Sequence, residues 1–494
     1  MKKTSLISIL LVLFCLVGNA QKLKVTNNQP LKDLGFKEKE NQYIGFDGNS
    51  HYFIINNNVL LKTDKALKKS TIFQLNKNIQ SQIILNGVLK NRALLMSVKT
   101  KLINFSSEEA FGFISFENNN KENTLTLKKN SVKNNSLSEK ILQTIKHDKD
   151  DYIKTDVAVS GDKSKKLVAF SFIEKKINLN SYEIIYKHTT FFVIDADGEI
   201  IWNKTISSDF NEINVCNDGS VVIISYETNE NKCNLHLQKF DEEGKNDITE
   251  VFPFKRICEI QFLELSNGNV FIGGYYSTGA YNYGNAATDD LGTFCYVFDK
   301  NLEKLNFKSK TLEQTKPKDF TLKEAYSKDT KKLIRGIYET TDGKITMLAE
   351  EEYSGIKNIL INSFDLNGNY ENFSILFKKQ GTGYEGSSAL FSFFVLKNND
   401  ELILIYNDDI GNDITQNVPN PKTFNRNQYK KTGQTIACTI KNGLVGKKQV
   451  LINATTEGRI MNYMIEQFDN EALIRVETEK AGLGQLMIEK IILE

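Results

Sequence analysis

Short runs of alternating apolar and polar residues fill most of the chain, and clusters of Asn, Asp and Gly separate them. Such alternation is typical of strands that bury one face. In one recurring type, a run ends in an apolar residue and Asp, a tight turn follows, and a second run begins. This type occurs at 191–206, 235–248, 294–310 and 360–375, where Asp and Gly suit the turn and predict β-hairpins.

A second hairpin type alternates with the first and has Asn-Asp-Gly, Asn-Gly, Asp-Gly or Asn-Asn-Asp at its turn. It occurs at 214–227, 260–276, 333–351 and 391–408. Each pair of hairpins therefore forms a four-stranded antiparallel meander, A-B-C-D, which repeats roughly every 45 to 65 residues. Weaker copies occupy 41–75, 80–127 and 152–206. Repeats of this size that each form one sheet predict a β-propeller.

After the copy at 390–453, the pattern predicts only three strands, at 459–468, 471–478 and 484–492. We expect an early strand near Leu23 to Thr26 to complete this last sheet. The predicted fold is all-β: a single propeller of seven or eight four-stranded antiparallel blades over residues 21–494. A pair of smaller β domains, such as sandwiches, is the alternative architecture.

Helical periodicity is scarce. The best candidate is 136–148, where Ser136 and Glu139 have the spacing of a capping box and apolar residues recur at helical intervals. We expect this helix to lie between two blades.

The first 20 residues resemble an export signal. A basic start precedes an apolar core at 6–17, and residues 18–20 include the small side chains that signal peptidase needs. Phe14 before Cys15 disfavours a lipid anchor. No later stretch contains about 18 consecutive apolar residues, the length that a membrane-spanning helix needs. We expect an exported protein that does not insert into the membrane.

Net charge and the spacing of the cysteines and histidines limit the classes of partner and cofactor that the sequence supports. Without the signal, the formal charge falls from +2 to zero, which argues against nucleic acid as the main partner. Five cysteines remain after Cys15 is removed, and they and the four histidines have no zinc or CxxC spacing. We expect no metal or cofactor, and we expect the cysteines to be small buried strand residues.

Two motifs resemble ligand sites but lack the required context. A calcium loop that starts at Asp195 would need Gly at its sixth position and a carboxylate at its twelfth, where the chain has Ile200 and Ile206. We interpret Asp195 as a turn residue. The GxGxxG match at 381–386 precedes a strand pattern instead of a helix, so we interpret it as a connection between blades.

Loop lengths differ between the two ends of the predicted blades. Antiparallel alternation places the A-B and C-D turns at one end and the B-C and D-A connections at the other. The turns are short, and the long insertions, 128–150, 278–292, 311–332 and 408–433, all fall at the connection end, as does a shorter B-C segment at 175–183. Insertions on one side of a repeat scaffold favour a binding face there.

Two insertions supply the candidate contact residues. Tyrosines give a large amphipathic contact area at low entropic cost, and acidic pairs are candidates for glycan chemistry. The partner-binding candidates are Tyr275, Tyr276, Tyr281, Tyr283, Asp289 and Asp290 around 278–292, and Asp408, Asp409, Phe424, Arg426 and Tyr429 in 408–433. No nucleophile elbow or zinc-protease motif accompanies them.

The signal end Asn-Ala-Gln, the hairpins with Phe-Asp and Gly, and the LIYNDDIGN segment within 402–412 resemble exported β-propeller proteins of Gram-negative cell envelopes. This resemblance implies a periplasmic, non-enzymatic protein that docks on an envelope protein or outer-membrane complex. By analogy it is similar to accessory, plug-like subunits of the type IX secretion translocon. The alternatives are a secreted protein and a glycan-binding or glycan-cleaving propeller. VPNPKTF at 418–424 and the chain end also resemble a type IX cargo signal, but we favour the periplasm.

Overall fold

The computed structural model confirms an all-β fold built from four-stranded antiparallel sheets. It describes residues 23–493 except for 31–40, 47–48, 56–58, 66–69, 75–102, 107–110, 120, 134–135, 179–180, 208–209, 230–231, 243–244, 279–290, 317, 319–320, 322–330, 353–354, 382–391, 425–428, 469–470 and 479–484. The predicted signal at 1–20 lies outside this part of the chain. No helix within it is long and apolar enough to span a membrane.

The first half of the chain contains these strands: β1 (Leu23–Pro30), β2 (Asn41–Phe46), β3 (Ser50–Ile55), β4 (Val59–Asp64), β5 (Ser70–Gln74), β6 (Ile103–Ser106), β7 (Phe111–Asn119), β8 (Thr124–Lys133), β9 (Ser136–Lys146), β10 (Tyr152–Val159), β11 (Lys166–Asn178), β12 (Ser181–Ile194), β13 (Ile200–Ile206), β14 (Glu212–Val215), β15 (Val221–Asn229), β16 (Lys232–Phe240) and β17 (Lys245–Phe252).

The second half contains β18 (Arg256–Glu264), β19 (Val270–Ser277), β20 (Leu291–Phe298), β21 (Lys304–Thr311), β22 (Lys331–Glu339), β23 (Lys344–Glu352), β24 (Gly355–Asp365), β25 (Tyr370–Leu376), β26 (Gln380–Gly381), β27 (Phe393–Asn398), β28 (Glu401–Asp409), β29 (Gly433–Lys441), β30 (Leu444–Asn453), β31 (Arg459–Phe468), β32 (Glu471–Thr478) and β33 (Gln485–Leu493). The described residues also form three short helices, α1 (Leu312–Thr315), α2 (Tyr429–Thr432) and α3 (Ala454–Glu457).

Each sheet is a meander of consecutive strands. In chain order, sheet 1 is β2–β5, sheet 2 is β6–β9, sheet 3 is β10–β13, sheet 4 is β14–β17, sheet 5 is β18–β21, sheet 6 is β22–β25, and sheet 7 is β27–β30. Sheet 8 contains β31–β33 and β1. Seven of these sheets have four strands, and sheet 6 has β26 as a short fifth strand beside β24.

The chain divides into two compact units. The larger unit, residues 31–353 and 357–375, contains sheets 1 to 5 and most of sheet 6. The smaller unit, residues 1–30, 354–356 and 376–494, contains sheets 7 and 8, together with β26 and the first residues of β24. Within the smaller unit, β1 pairs antiparallel with β33, so that Leu23 lies opposite Leu493. The prediction that an early strand completes the last sheet is confirmed.

Turn chemistry explains why the predicted hairpins form. At the turn between β12 and β13, the Asp195 carboxylate accepts hydrogen bonds from the backbone N–H groups of Asp197 and Glu199, both at 2.9 Å. Gly198 has φ of 80°, which favours glycine. The same Asp-centred turn recurs at Asp299 and Asp365. Asp195 is therefore a turn residue, as predicted.

Apolar side chains pack between neighbouring sheets. Phe170 and Phe192 of sheet 3 contact Leu125 and Leu127 of sheet 2, and other clusters join sheets 3 and 4, 4 and 5, and 7 and 8. Trp202, the only tryptophan, packs in the cluster between sheets 3 and 4. The hydrophobic core therefore consists of layers between the sheets, as stacked repeats require.

The cysteines lie in these layers or close to them. Cys216, Cys233, Cys295 and Cys438 are buried, Cys258 is half-buried, and all five have free thiols. The prediction of small buried strand residues is confirmed for Cys233, Cys295 and Cys438, whereas Cys216 is buried in the turn that follows β14.

The predicted helix at 136–148 is wrong. Residues 136–146 form β9, the outer strand of sheet 2, which pairs with β8 from Thr124↔Lys146 to Lys133↔Ser136. Pairing with the otherwise open edge of β8 outweighs the weak local helix preference. Ile141, which the helical pattern assigned to an apolar face, is 61% exposed.

This error also removes one predicted insertion. Residues 128–150 contain the end of β8 and all of β9, so most of this segment belongs to a sheet. In 311–332, only α1 and its neighbours are described, and residues 279–290 of the 278–292 insertion lie outside the described part. The 408–433 insertion joins β28 to β29 and is described except for 425–428.

Candidate functional site

The two ends of the sheets have different hydrogen bonding. We call the end with the A-B and C-D turns the turn end, and the end with the B-C and D-A connections the connection end. At the turn end, backbone N–H groups near the A-B turns donate to side chains of the next sheet. In the larger unit these bonds run from Asp162 to Asn217 (3.0 Å), Asn217 to Glu264 (2.7 Å) and Ser266 to Glu339 (2.7 Å), and in the smaller unit from Lys397 to Gln467 (2.8 Å).

The C-D turns have similar contacts in the same direction along the chain. Side chains of sheets 4 and 5 donate to backbone carbonyls at the C-D turn of the next sheet: Lys239 Nζ to Lys300 O at 2.8 Å, and Asn306 Nδ2 to Asn367 O at 2.6 Å. Polar groups of the turn end are thus used to hold neighbouring sheets together. This supports the connection end as the place to look for a binding surface.

Two of the predicted tyrosines are core residues. Tyr275 and Tyr276 lie on β19, a strand whose residues are all buried. Tyr275 Oη accepts a hydrogen bond from Asn362 Nδ2 at 3.1 Å, and the Tyr276 ring stacks on Phe254 with 3.6 Å between centroids. We correct their assignment to an exposed face, because both faces of β19 are covered by neighbouring sheets.

Several other candidates cannot be placed. Tyr281, Tyr283, Asp289, Asp290 and Arg426 lie outside the described residues. Tyr429 begins α2, directly before β29.

Asp408 and Asp409 organise the 408–433 insertion from its base. Both lie at the buried end of β28. Asp408 Oδ1 accepts hydrogen bonds from Asn412 Nδ2 at 2.7 Å and from the Asp409 backbone at 2.9 Å. Asp409 Oδ1 accepts from the Gly411 backbone at 2.8 Å. Burial raises the pKa of Asp408, and the Asn412 amide opposes that shift. These bonds assign both carboxylates to loop structure, so we correct their interpretation as surface acids.

Asn412 joins the two limbs of the insertion. Its Oδ1 accepts from the Lys422 backbone N–H at 2.6 Å, and its Nδ2 donates to Lys422 O at 3.0 Å as well as to Asp408. The oxygen and the nitrogen of the Asn412 amide therefore both have hydrogen-bond partners, on the opposite limb of the insertion and at its base. Such pairing holds residues 412–422 as a closed loop.

A second segment anchors the far end of the insertion. Phe424, a predicted contact residue, is fully buried. Its N–H donates to Lys379 O at 2.9 Å, its carbonyl accepts from Gly381 N–H at 3.0 Å, and it forms a parallel bridge with Gln380. Gln380 Nε2 in turn donates to Asn407 O at 2.6 Å. Phe424 is thus an anchor of the insertion and does not belong to an exposed surface.

The anchored segment presents apolar side chains to solvent. We call residues 410–424 the docking loop. Within it, Ile410 is 42% exposed and Val418 is 50% exposed, and Val418 precedes Pro419. Asn417 Oδ1 accepts from the Phe377 backbone at 2.9 Å, directly beside Val418. A rigid loop therefore displays apolar groups that the fold itself does not cover.

A different cluster lies on the innermost strands of the larger unit. The A strands β10, β14 and β18 contact one another in series and contain Asp156, Glu212 and Glu259. Burial raises the pKa of Glu212 to about 7, and the nearby Glu259 and Asp156 carboxylates add to the shift. Burial also raises the pKa of Glu259 to about 7, against the opposing charges of Arg335 and Lys331.

Basic residues flank this acidic cluster at both ends. Lys154 Nζ lies 3.1 Å from Asp156 Oδ2, and Arg335 on β22 donates to Glu350 Oε2 at 2.6 Å. Glu212 and Glu259 therefore occupy the middle of the row, where each can hold a proton near neutral pH. Such carboxyl groups are suited to exchange protons or to contact polar ligands.

Within the described part of the chain, no group of three or more His, Cys, Asp or Glu residues has the arrangement of a metal site.

No protein-family model matches the chain, and no curated protein matches it. Solved structures give distant similarities. They include the polysaccharide lyase Uly1 (10% identity, 79% of this chain and 89% of that chain, TM-score 0.40). They also include the WD40 domain of SCAP from fission yeast (8% identity, 96% and 98%, TM-score 0.37). A third is BamB from Moraxella catarrhalis (10% identity, 73% and 80%, TM-score 0.31). The fold assignment rests on the strand pairing described above.

Sequence reasoning missed Glu212 and Glu259. Each is a single acid on a short strand, and they become neighbours only because the innermost strands of consecutive sheets meet. The repeat does give one usable signal, since both residues lie on A strands of the predicted meanders. Sequence reasoning also missed Ile410 and Val418, because an apolar residue in a loop is usually covered.

Proposed function

We propose that the protein is a non-enzymatic interaction propeller that docks on another protein through the connection end of its smaller unit. The observation that carries this proposal is the docking loop, which is closed by Asn412, anchored by Phe424, and displays Ile410 and Val418 to solvent. We further propose that the protein works in the periplasm on an envelope protein or outer-membrane complex. An accessory subunit of a secretion translocon is the specific form of this proposal, with a secreted location as the alternative.

Preorganisation supports a binding role for this loop. Binding through a flexible loop costs conformational entropy, and a loop that is already fixed avoids most of that cost. The hydrogen bonds of Asp408, Asp409 and Asn412 fix the loop in the free protein. Ile410 and Val418 can then bury their side chains against a partner at little further cost. The partner surface should be apolar at its centre with uncharged polar groups around it.

The test is capture of a partner from detergent-solubilised envelope by the full mature chain. The loop variant carries Ile410→Asp and Val418→Asp, which places two charges in the proposed contact. We expect the wild type to retain a reproducible large partner and the loop variant to lose it. No reproducible partner, or equal capture by the loop variant, would contradict the proposal.

A matched control is available in the same unit. Leu444 begins the outer strand β30 and is 52% exposed, much like Val418, but it lies beside the C-D turn of sheet 7, at the turn end. Leu444→Asp introduces the same change of charge and hydrophobicity into an exposed site. Its capture of the partner should equal that of the wild type.

A glycan-binding or glycan-cleaving function is the second proposal, and the inner carboxylates favour it. Glycoside cleavage uses one carboxyl group that keeps its proton near neutral pH and a second that is ionised. Glu212, with a pKa raised to about 7, suits the first of these roles. The acids that the sequence suggests for this role are Asp289, Asp290, Asp408 and Asp409, and the last two are engaged within the loop.

Carbohydrate-array binding and turnover test this alternative. Binding or cleavage that is abolished by Glu212→Gln or Glu259→Gln, and unaffected by the docking-loop variant, would support it. A blank array with the correctly folded wild type would contradict it.

A further inference from the structure

Sheet 3 has a two-stranded extension that the other functional arguments do not use. Its B and C strands, β11 and β12, are 13 and 14 residues long, whereas its A and D strands are 8 and 7 residues long. Strand β10 pairs with β11 only up to Tyr152↔Ile173, and β13 pairs with β12 only up to Ile206↔Thr189. The B and C strands therefore continue past their neighbours at the connection end.

The extension is a regular antiparallel ribbon. Five residue pairs follow the last flanking strand, from Glu174↔Ile185 to Asn178↔Ser181. At the usual rise per residue, this ribbon is roughly 16 Å long. Its outer edges are residues 174–178 of β11 and 181–185 of β12. Among the described strands, none pairs with either edge on its outer side.

The base of the ribbon is firmly held. The register shifts between Phe172 and Ile173, so that Lys187 is the extra residue of a β-bulge. Lys187 Nζ bonds to Asp151 Oδ1 at 2.6 Å and to Asp148 Oδ2 at 2.9 Å, in the connection before β10. Phe172 stacks against His188 with 4.6 Å between centroids. A bulge bends and twists a strand, so this base sets the direction of the ribbon.

The two edges differ in composition. Residues 174–178 of β11 read EKKIN, with Lys175 and Lys176 adjacent. Lysines on an edge strand discourage pairing with another chain. Residues 181–185 of β12 read SYEII, which has one charge and a high content of aromatic and β-branched residues. The β11 edge is protected, and the β12 edge is suited to pair.

We propose that residues 181–185 of β12 bind an extended segment of a partner protein, which adds to the ribbon as a further strand. Unpaired backbone N–H and C=O groups on an exposed edge are the template for this mode of recognition. Five residues match the usual length of a strand. The segment should be rich in β-branched and aromatic residues and should carry little charge.

A second copy of this chain is a less suitable occupant. Self-pairing would join two narrow ribbons over five residues each, whereas stable dimers bury about 800 Å² per partner. A peptide segment needs no such area, because main-chain hydrogen bonds supply most of its affinity. The ribbon belongs to the larger unit and the docking loop to the smaller one. This proposal and the proposed function are therefore independent, and either can fail while the other stands.

The experiment selects peptides from a displayed library of random extended sequences, with the full mature chain as the target. The main variant replaces residues 175–184 by Asn-Gly, a two-residue turn that joins Glu174 to its opposite residue Ile185. This replacement leaves the pairing of β10 and β13 unchanged. We expect enriched peptides with alternating β-branched and aromatic residues, and at least tenfold weaker binding to the shortened variant.

The opposite edge supplies the control. Lys175→Glu with Lys176→Glu changes only the β11 edge, keeps that edge charged, and should leave peptide affinity unchanged. In addition, hydrogen exchange of the wild type with a selected peptide should slow at 181–185 and stay the same at 174–178, a readout that does not depend on folding of the variants.

Three results would overturn the proposal. The first is a library that yields no peptide specific for the wild type over the shortened variant. The second is peptide protection at 174–178 instead of 181–185. The third is a dimer in sedimentation that the shortened variant abolishes, which would make a second copy the occupant.

Discussion

The turn end and the connection end of the sheets use the same polar residue types for different purposes. At the turn end, Asn217 receives a hydrogen bond from one neighbouring sheet and donates to the other. At the connection end, Asn412 bonds only within its own insertion and holds it closed. The first arrangement stabilises the stack of sheets, and the second fixes a loop whose apolar residues face solvent. Substitutions at the turn end should therefore lower the free energy of unfolding, whereas substitutions in the docking loop should weaken partner binding.

The largest effect is expected for Trp202, in the layer between sheets 3 and 4. Its ring packs edge-on against Phe191 at 5.5 Å, and its Nε1 donates to Gly219 O at the turn end of sheet 4. Trp202→Ala should lower the free energy of unfolding by about 3 kcal/mol through lost burial and a cavity. Denaturant unfolding measures this change. The adjacent Ile201→Ala, at a 39% exposed residue, should change it by less than about 0.5 kcal/mol.

The carboxyl groups of Glu212 and Glu259 should make the free energy of unfolding depend on pH. This effect is independent of the turn end and of the connection end. Folding raises the pKa of Glu212 and Glu259 from 4.5 to about 7, so the folded state binds their protons more tightly than the unfolded state. Their contribution is complete below about pH 4.5 and is lost as the pH rises through about 7, which corresponds to about 3 kcal/mol for each group. Glu212→Gln should flatten this part of the profile. A wild-type profile that rises with pH across this range would contradict the account.

A pair of hydrogen bonds at the turn end should have a smaller effect. Glu339 accepts from both the N–H and the hydroxyl of Ser266, at 2.7 and 2.6 Å, across sheets 5 and 6. Glu339→Ala should lower the free energy of unfolding by about 1 kcal/mol. Glu339→Gln keeps one acceptor oxygen and should retain about half of that amount. Thermal unfolding of both variants provides the comparison, and equal losses would mean that the charge matters more than the bond.

The turn end is also the part of the molecule that the sequence predicts best. Its hairpins are specified locally, because Asp195, Asp299 and Asp365 each bond to the amides of their own turn. The repeat then predicts sheets, and counting strands predicts that β1 completes sheet 8. Sheet 2 is where local reasoning fails, since β9 has helical spacing but is recruited by the open edge of β8.

The candidate sites depend on contacts that no local pattern contains. Tyr275 and Phe424 have the composition of contact residues, yet neighbouring sheets and the segment at 379–381 bury them. Glu212 and Glu259 are separated by a whole sheet in sequence and meet through adjacent inner strands. The B-C extension of sheet 3 corresponds to the predicted B-C segment at 175–183, but its free edge follows only from where β10 and β13 end.

The smallest effect on stability is expected for Asn412 at the connection end. Asn412→Ala removes the bonds between the limbs of the docking loop but touches no layer between sheets. The global free energy of unfolding should change by less than about 0.5 kcal/mol, while local opening of the loop becomes easier. Hydrogen exchange of residues 411–424 should accelerate at least tenfold. A global loss as large as that of Glu339→Ala would remove the distinction between the two ends.

Hydrogen exchange of the whole protein, free and bound to its captured envelope partner, tests the central claim most directly. The account predicts slower exchange in the docking loop at 410–424 and no change at the A-B turns 216–220 and 265–269. Protection of those turns with an unaffected docking loop would contradict it.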